Sequence, residues 1–344
     1  MAYTTIKKPS DYFNTKLYTG TGSSTSITGV GFQPDLVYTT SRSNSYNNGM
    51  FDSVRGVNKL INTNTGSAEA SISNGISSFD SDGFSFSGDA YNTSGYTFVG
   101  WNWKANGAGS ANTDGDIAST VSANTTSGFS IVQYTGNGTS PSTVGHGLGT
   151  TPSMIILKAL DSANGWKVYH KSLSTNNILF LHTTDAQTAD SNYHHSPNNS
   201  TFTITGGSSI NVNGNRYIAY CFAEKQGYSK FGIYNGVGSF PSDVTNFVYT
   251  GFKPAFIMLK QTAGEAWNII DNKRAYEYNP TGYFLYANNS NAEGSNTTYS
   301  EMDLLSNGFC LRKAHGQYNE TGKQYIYMAF AEEPLVGDNP ATAR

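Results

Sequence analysis

The stretch GFQPDLVYTT (31–40) constrains this chain more than any other, because it returns as GTTPSMIILK (149–158) and as GFKPAFIMLK (251–260). A proline followed by a burst of apolar residues, written three times, marks a repeated structural unit. Aligning the copies on Pro34, Pro152 and Pro254 brings further phrases into line. Upstream lie YTGTG, YTGNG and YNGVG, beginning at Tyr18, Tyr134 and Tyr234. Downstream come Phe51-Asp52, Tyr169-His170 and Ile270-Asp271, with Trp166 and Trp267 just ahead of this point in the second and third copies. FDSDGFSF (79–86) matches LLSNGFCL (304–311), and FTITGG (202–207) holds that place in the middle copy. Each copy closes on a glycine and an aromatic strand ending at Trp103, Phe222 or Phe330.

Inside a copy the elements read as strands. DLVYTT, MIILKA and FIMLKQ are short, apolar and bounded by turn residues. Asn-Gly recurs at Asn48, Asn74, Asn106, Asn137, Asn164, Asn213, Asn235 and Asn307, and both residues accept the positive φ of a two-residue hairpin turn. The fold class follows: all-β, as three tandem antiparallel β-sandwich modules of jelly-roll or lectin-like kind. The expected boundaries are a leader or attachment arm (1–17), module 1 (18–104), a linker with room for an edge strand (105–128), module 2 (129–226) and module 3 (227–344). The short junction KQGYSKFG (225–232) predicts close packing of modules 2 and 3. The Pro phrase is the joint at which a turn delivers the chain into a central strand, with proline at its first position, where a missing N–H costs least.

Charged residues make up 13% of the chain, against about 25% in an ordinary soluble protein. With 23 Tyr and 19 Phe the chain has the rings to build cores, so it is not a disordered polar tract. The formal net charge is −3 and the cations are scattered. Nucleic acid binding, which needs clustered cations, is not expected. No apolar run approaches the roughly 20 residues of a membrane span, so no membrane insertion is expected. The opening MAYTTIKKPSDYF has no apolar core behind its lysines and does not read as a secretory signal, which predicts synthesis into a cytoplasm. Cys221 and Cys310 sit inside apolar strand-like runs and read as buried free thiols.

Few residues carry chemistry. Asp80 and Asp82 in FDSDG are spaced like the first ligands of a calcium loop, but Phe84 and Tyr91 occupy later ligand positions, so a turn is the better reading. His194 and His195, beside Tyr193, suggest a metal pair; neighbours on a strand face opposite ways, so an exposed loop tip that touches a ligand is preferred and no metal site is expected. His146 and His170 read as structural hydrogen-bonding residues. Trp101, Trp103, Trp166 and Trp267 could stack on sugars, yet three stand where other copies carry large apolar residues, which points to a packed core. No nucleophile elbow or phosphate-binding loop occurs. Paired carboxylates from distant positions stay open. The expectation is a protein without enzymatic activity, catalytic residues or cofactor.

The leader MAYTTIKKPSDYFNTKLYTG, the runs GVGFQPDLV, FDSVRG and WNWKANG, the middle phrases VGHGLGTTPSMIILK and AYCFAEKQGYSKFG, and YTGFKPAFIMLK with LLSNGFCLR resemble modules of virion and tail-fibre-like proteins of tailed bacteriophages, especially those of marine bacteria. The likeness covers nearly the whole chain. It implies a virion component assembled in the host cytoplasm, other virion proteins as partners and a homo-oligomer, with a trimer first in line. The first copy departs from it at DLVYTTSRS, where relatives carry Trp and Lys, and this predicts a more polar outer face on that strand.

Three functions are then in play. The first is a tail-fibre or appendage adhesin that contacts host-surface carbohydrate through loop tips such as Tyr193, His194 and His195. The second is a capsid decoration or fibre-collar protein with no host ligand. The third is a polysaccharide depolymerase.

Overall fold

The computed structural model describes residues 4–190, 196–205, 209–238, 246–274, 279, 281–295 and 302–334. The fold is all-β, and every ladder between its strands is antiparallel. One strand order recurs three times. The first large sheet runs Phe13–Thr19, Thr97–Trp103, Leu36–Ser41, Gly49–Asp52, Lys59–Asn62, Ala70–Ser71. The third runs Ser229–Asn235, Gln324–Pro334, Phe252–Gln261, Asn268–Asp271, Tyr283–Tyr286, Gly294–Ser295. The second runs Phe129–Thr135, Arg216–Phe222, Met154–Ala159, Lys167–His170, Asn177–Phe180, Thr188–Ala189 and carries two extra strands beyond Phe129–Thr135. A small sheet covers the outer face of each: Thr25–Thr28 with Gly83–Phe86 and Ile76–Asp80, Ser142–Gly145 with Thr201–Ile204, and Asn246–Tyr249 with Gly308–Leu311 and Met302–Leu305.

Each Pro phrase leads into a central strand, flanked by the closing strand on one side and a shorter strand on the other. Pro34 and Pro152 stand two residues ahead of that strand, while Pro254 lies within it at a break in register. The turn after FDSD and LLSN has a steric cause. A Cβ on Gly83 would sit 1.9 Å from the Ile27 carbonyl oxygen, and one on Gly308 2.1 Å from that of Val248. Only glycine lets the neighbouring strand come so near.

The segments expected outside the modules are built into the fold. Phe13–Thr19, which straddles the expected boundary between leader and module 1, pairs along its length with Thr97–Trp103, and Ile6 is buried in the core. The expected linker supplies the two extra strands, Ser110–Asn112 and Ser119–Asn124, and buries Ile117 and Val121. Ser110–Asn112 is the edge of that sheet and Ser119–Asn124 is paired on both sides; strands with one face open to solvent need apolar residues on the other face only. The strand Leu36–Ser41 carries the more polar outer face, with Thr39 and Ser41 beside Val37 where the second copy has Ile155, Leu157 and Ala159, yet that face is covered rather than open to solvent. All six residues are buried, including Thr39, Thr40 and Ser41.

The sheets are not tandem beads with separate interiors. Each large sheet packs its outer face against its own small sheet. Its inner face joins a single core that draws residues from all three repeats. Trp103 and Phe222, which end their closing strands, and Phe330, which lies inside the longer third one, meet there with ring centroids 6.4, 6.0 and 5.7 Å apart. All four tryptophans lie in this core. Burying large sheets on both faces accounts for their nearly unbroken apolar strands.

Equivalent hydrogen bonds close the ring at each seam. Asn48, Trp166 and Trp267 occupy one position in the three copies. Their side-chain N–H groups donate to the carbonyls of Tyr286, Asn62 and Phe180, at 2.7, 2.8 and 2.9 Å. In the opposite sense, the backbone N–H groups of Glu69, Gln187 and Glu293 donate to the carbonyls of Leu160, Thr262 and Arg42, at 2.8, 2.7 and 2.8 Å. The repeats therefore surround a pseudo-threefold axis, each touching both others.

Candidate functional site

The residues singled out for chemistry are mostly structural. Asp82 accepts from the backbone N–H groups of Gly31 and Gly29, at 2.6 and 3.0 Å, and these bonds hold its carboxyl below the usual value. Asp80 accepts from Ser85 at 2.6 Å. His146 bonds the Asn198 carbonyl through Nε2 and accepts from the Leu148 N–H. Cys221 and Cys310 are buried and joined in no disulfide, and burial pushes the Cys221 thiol up, away from the nucleophilic form. Among the described residues no His, Cys, Asp and Glu cluster could hold a metal, and no helix is long and apolar enough to cross a membrane.

Tyr193, His194 and His195 lie outside the described residues. Ser196 and Pro197, which follow them, line a cleft of 260 Å³ together with Lys171, Leu173 and Asn176.

Charge is buried at the seams. Asp271 accepts from Arg274 Nε at 2.6 Å and, across the seam, from the Trp101 indole at 2.8 Å. Arg274 also reaches Glu293 at 2.9 Å, and Glu293 pairs outward with Arg42 of the first repeat at 2.9 Å. The first repeat builds the same network: Asp52 accepts from Arg55 at 2.5 Å and from Tyr220 of the second repeat at 2.8 Å, while Arg55 reaches Glu69. At the equivalent place in the second repeat stands His170. Its Nδ1 accepts from the Ser172 N–H, so Nε2 carries the proton and donates to the Tyr327 carbonyl of the third repeat at 3.2 Å. Burial lowers the His170 pKa to about 4, so the ring is neutral.

A groove of 430 Å³ opens where the first repeat meets the third. One wall is the turn between Leu36–Ser41 and Gly49–Asp52. Tyr46 there donates its backbone N–H to the Ser290 carbonyl at 2.8 Å, and Ser45 Oγ donates to the same oxygen at 2.8 Å. The half-buried Tyr46 ring stands edge-on against Tyr91, centroids 5.2 Å apart. Tyr91 is held at φ 59°, a left-handed conformation uncommon for a bulky residue. Its carbonyl accepts from Tyr18 at 2.8 Å, and its hydroxyl donates to Asn62 Oδ1 at 2.6 Å. Burial pushes that phenol well above its usual value, so it stays a neutral donor. Leu60, Ile72 and Ala90 provide apolar surface, and Asn47 and Asn74 provide amides. None of the residues lining the groove is charged.

Sequence reasoning passed over this groove. SRSNSYNN reads as a polar loop, and Ser290 lies 245 residues beyond Ser45. The one available signal was a tyrosine alone in a Ser/Asn run.

The model of one family, Domain of unknown function (DUF7483), matches residues 8–334 and thus spans all three repeats. The chain belongs to that family. No curated protein and no solved structure matches it.

Proposed function

We propose that this DUF7483 chain is a bacteriophage virion protein, a tail-fibre or appendage adhesin that binds host-surface carbohydrate without catalysing a reaction. The resemblance of its phrases to phage virion and tail-fibre-like modules gives the setting. One structural observation supports the binding role: an uncharged groove, walled by rings, amides and hydroxyls, opens on an all-β scaffold with a shared core. Sites of this kind join apolar surface to a few fixed polar groups. The same reading expects assembly in the host cytoplasm, other virion proteins as neighbours and a homo-oligomer, a trimer first. Light scattering of the purified protein measures the state.

The test uses the purified chain and the intact particle. An adhesin places label on a tail appendage when particles are imaged, binds host cells and blocks infection when added in excess. Label absent from particles, or protein that neither binds cells nor blocks infection, contradicts the reading.

A second reading, a decoration or collar protein with no host ligand, is favoured by Phe247 and Tyr249. They are 43% and 53% exposed on an outer strand of the third small sheet, where a neighbouring virion protein could cover them. Binding to empty capsids or fibre shafts, with indifference to cells, would select it.

A further inference from the structure

We propose that the groove at the seam of the first and third repeats binds a neutral pyranose, with the Tyr46 ring as its stacking surface. This rests on the adhesin reading above and names the ligand class of its site. Three observations carry it.

The first is chemical. A pyranose presents C–H groups on its ring faces and hydroxyls around its rim. It therefore needs apolar or aromatic surface beside groups that donate and accept hydrogen bonds. The groove supplies Tyr46, Leu60 and Ile72 for the first need, and Asn47, Asn74 and Ser45 for the second. Because no cation lines it, a carboxylated or phosphorylated sugar would have its charge desolvated with no counter-charge. The lining selects against acidic glycans.

The second observation is size. At 430 Å³ the groove lies within the range of about 300–1,000 Å³ typical of small-molecule sites.

The third is preorganisation. Two hydrogen bonds to the Ser290 carbonyl fix the Tyr46 turn to the third repeat. Beneath it the left-handed backbone of Tyr91 is locked by the bonds from Tyr18 and to Asn62. Tyr134 and Tyr234, the counterparts of Tyr18, donate likewise to the carbonyls of Ile210 and Tyr318 at 2.9 and 2.7 Å, yet neither of those residues shares the left-handed conformation. Backbone strain confined to one of three equivalent positions, at the floor of a groove, is a mark of a functional constraint. A wall that is already ordered saves the entropy of ordering it on binding.

The experiment is saturation-transfer NMR on the full chain. The probes are methyl β-glucopyranoside, methyl β-galactopyranoside and methyl α-mannopyranoside, with glucuronic acid and N-acetylneuraminic acid as acidic counterparts. At least one neutral glycoside should saturate through its ring protons with a Kd of about 1 mM. Tyr46→Ala should weaken it at least tenfold, Asn47→Ala by a smaller factor, and the acids should bind at least tenfold more weakly. Both variants are checked for an unchanged unfolding midpoint. The proposal is overturned if no neutral glycoside binds, if the acids bind as well, or if folded Tyr46→Ala binds as tightly as the parent. Host-cell binding by the same proteins separates the two readings. Cell binding that survives Tyr46→Ala removes the groove and leaves the adhesin. Glycoside binding without cell binding does the reverse.

Discussion

Trp101 donates its indole N–H to Asp271 at 2.8 Å, across 170 residues of chain. Arg274 lies over the same indole, 5.6 Å from the ring centroid, while it holds Asp271 from the other side. One tryptophan thus joins a buried ion pair of the third repeat to the closing strand of the first. Replacing it with phenylalanine keeps a ring and removes the donor. Trp101→Phe should cost about 1–3 kcal/mol, the loss expected when a buried acceptor goes short of a partner. Denaturant unfolding checks the value.

The buried Arg55 and Arg274 networks should behave as a pair. Each guanidinium bonds an adjacent aspartate, a distant glutamate and a backbone carbonyl with almost no exposure. Removing one partner leaves uncompensated charge in the interior. Arg274→Met and Arg55→Met should each cost about 3–5 kcal/mol. The exposed pair Lys8–Asp11 should cost less than ~1 kcal/mol when broken. Unfolding midpoints of the three variants give the comparison.

His170 makes one seam sensitive to acid. Its pKa is about 4 in the folded chain, against about 6.5 when unfolded. The unfolded state therefore binds the extra proton first. This contribution to stability is fully present above pH 6.5 and is lost as pH falls toward 4, by about 1.4 kcal/mol per pH unit. His146, His182 and His315 are also lowered in pKa by burial and contribute in both proteins, so a pH series of unfolding free energies should show a slope that is steeper in the parent than in His170→Gln. An equal slope in both proteins would place the acid sensitivity elsewhere.

Gly308 should tolerate no side chain. The 2.1 Å approach to the Val248 carbonyl means that Gly308→Ala must push a strand aside. A cost of about 3 kcal/mol is expected, at the upper end for overpacking. Gly95→Ala is the control. It meets nothing within 4 Å and pays only for its φ of +79°, about 1 kcal/mol. Thermal unfolding of the two variants ranks them.

Much of the fold was legible because repeated chemistry survives in repeated form. Pro34, Pro152 and Pro254 locate the central strands, and Trp103 and Phe222 end their closing ones, while the third runs past Phe330 to Pro334. What the spacing could not convey is that these last three rings touch. Alternation of apolar and polar residues reports one buried face, whereas strands such as Met154–Ala159 are buried on both. Their apolar runs fit an ordinary sandwich and a shared centre equally well. Asn48 was equally opaque. It stands where the other copies have Trp166 and Trp267, and only the hydrogen bond to Tyr286 shows that an amide can do the same work. The groove was hidden for a related reason, since its walls come from the Tyr46 turn and from Ser290, which no local pattern connects.

The central claim is that three copies of one strand pattern share a single interior, and equilibrium unfolding tests it most directly. All four tryptophans report on that interior, while far-UV circular dichroism reports on every sheet. The account predicts one transition, coincident by both probes, which Trp101→Phe displaces as a whole. Separate transitions for the two probes, or a Trp101→Phe variant that shifts only part of the curve, would show instead that the repeats stand as independent sandwiches.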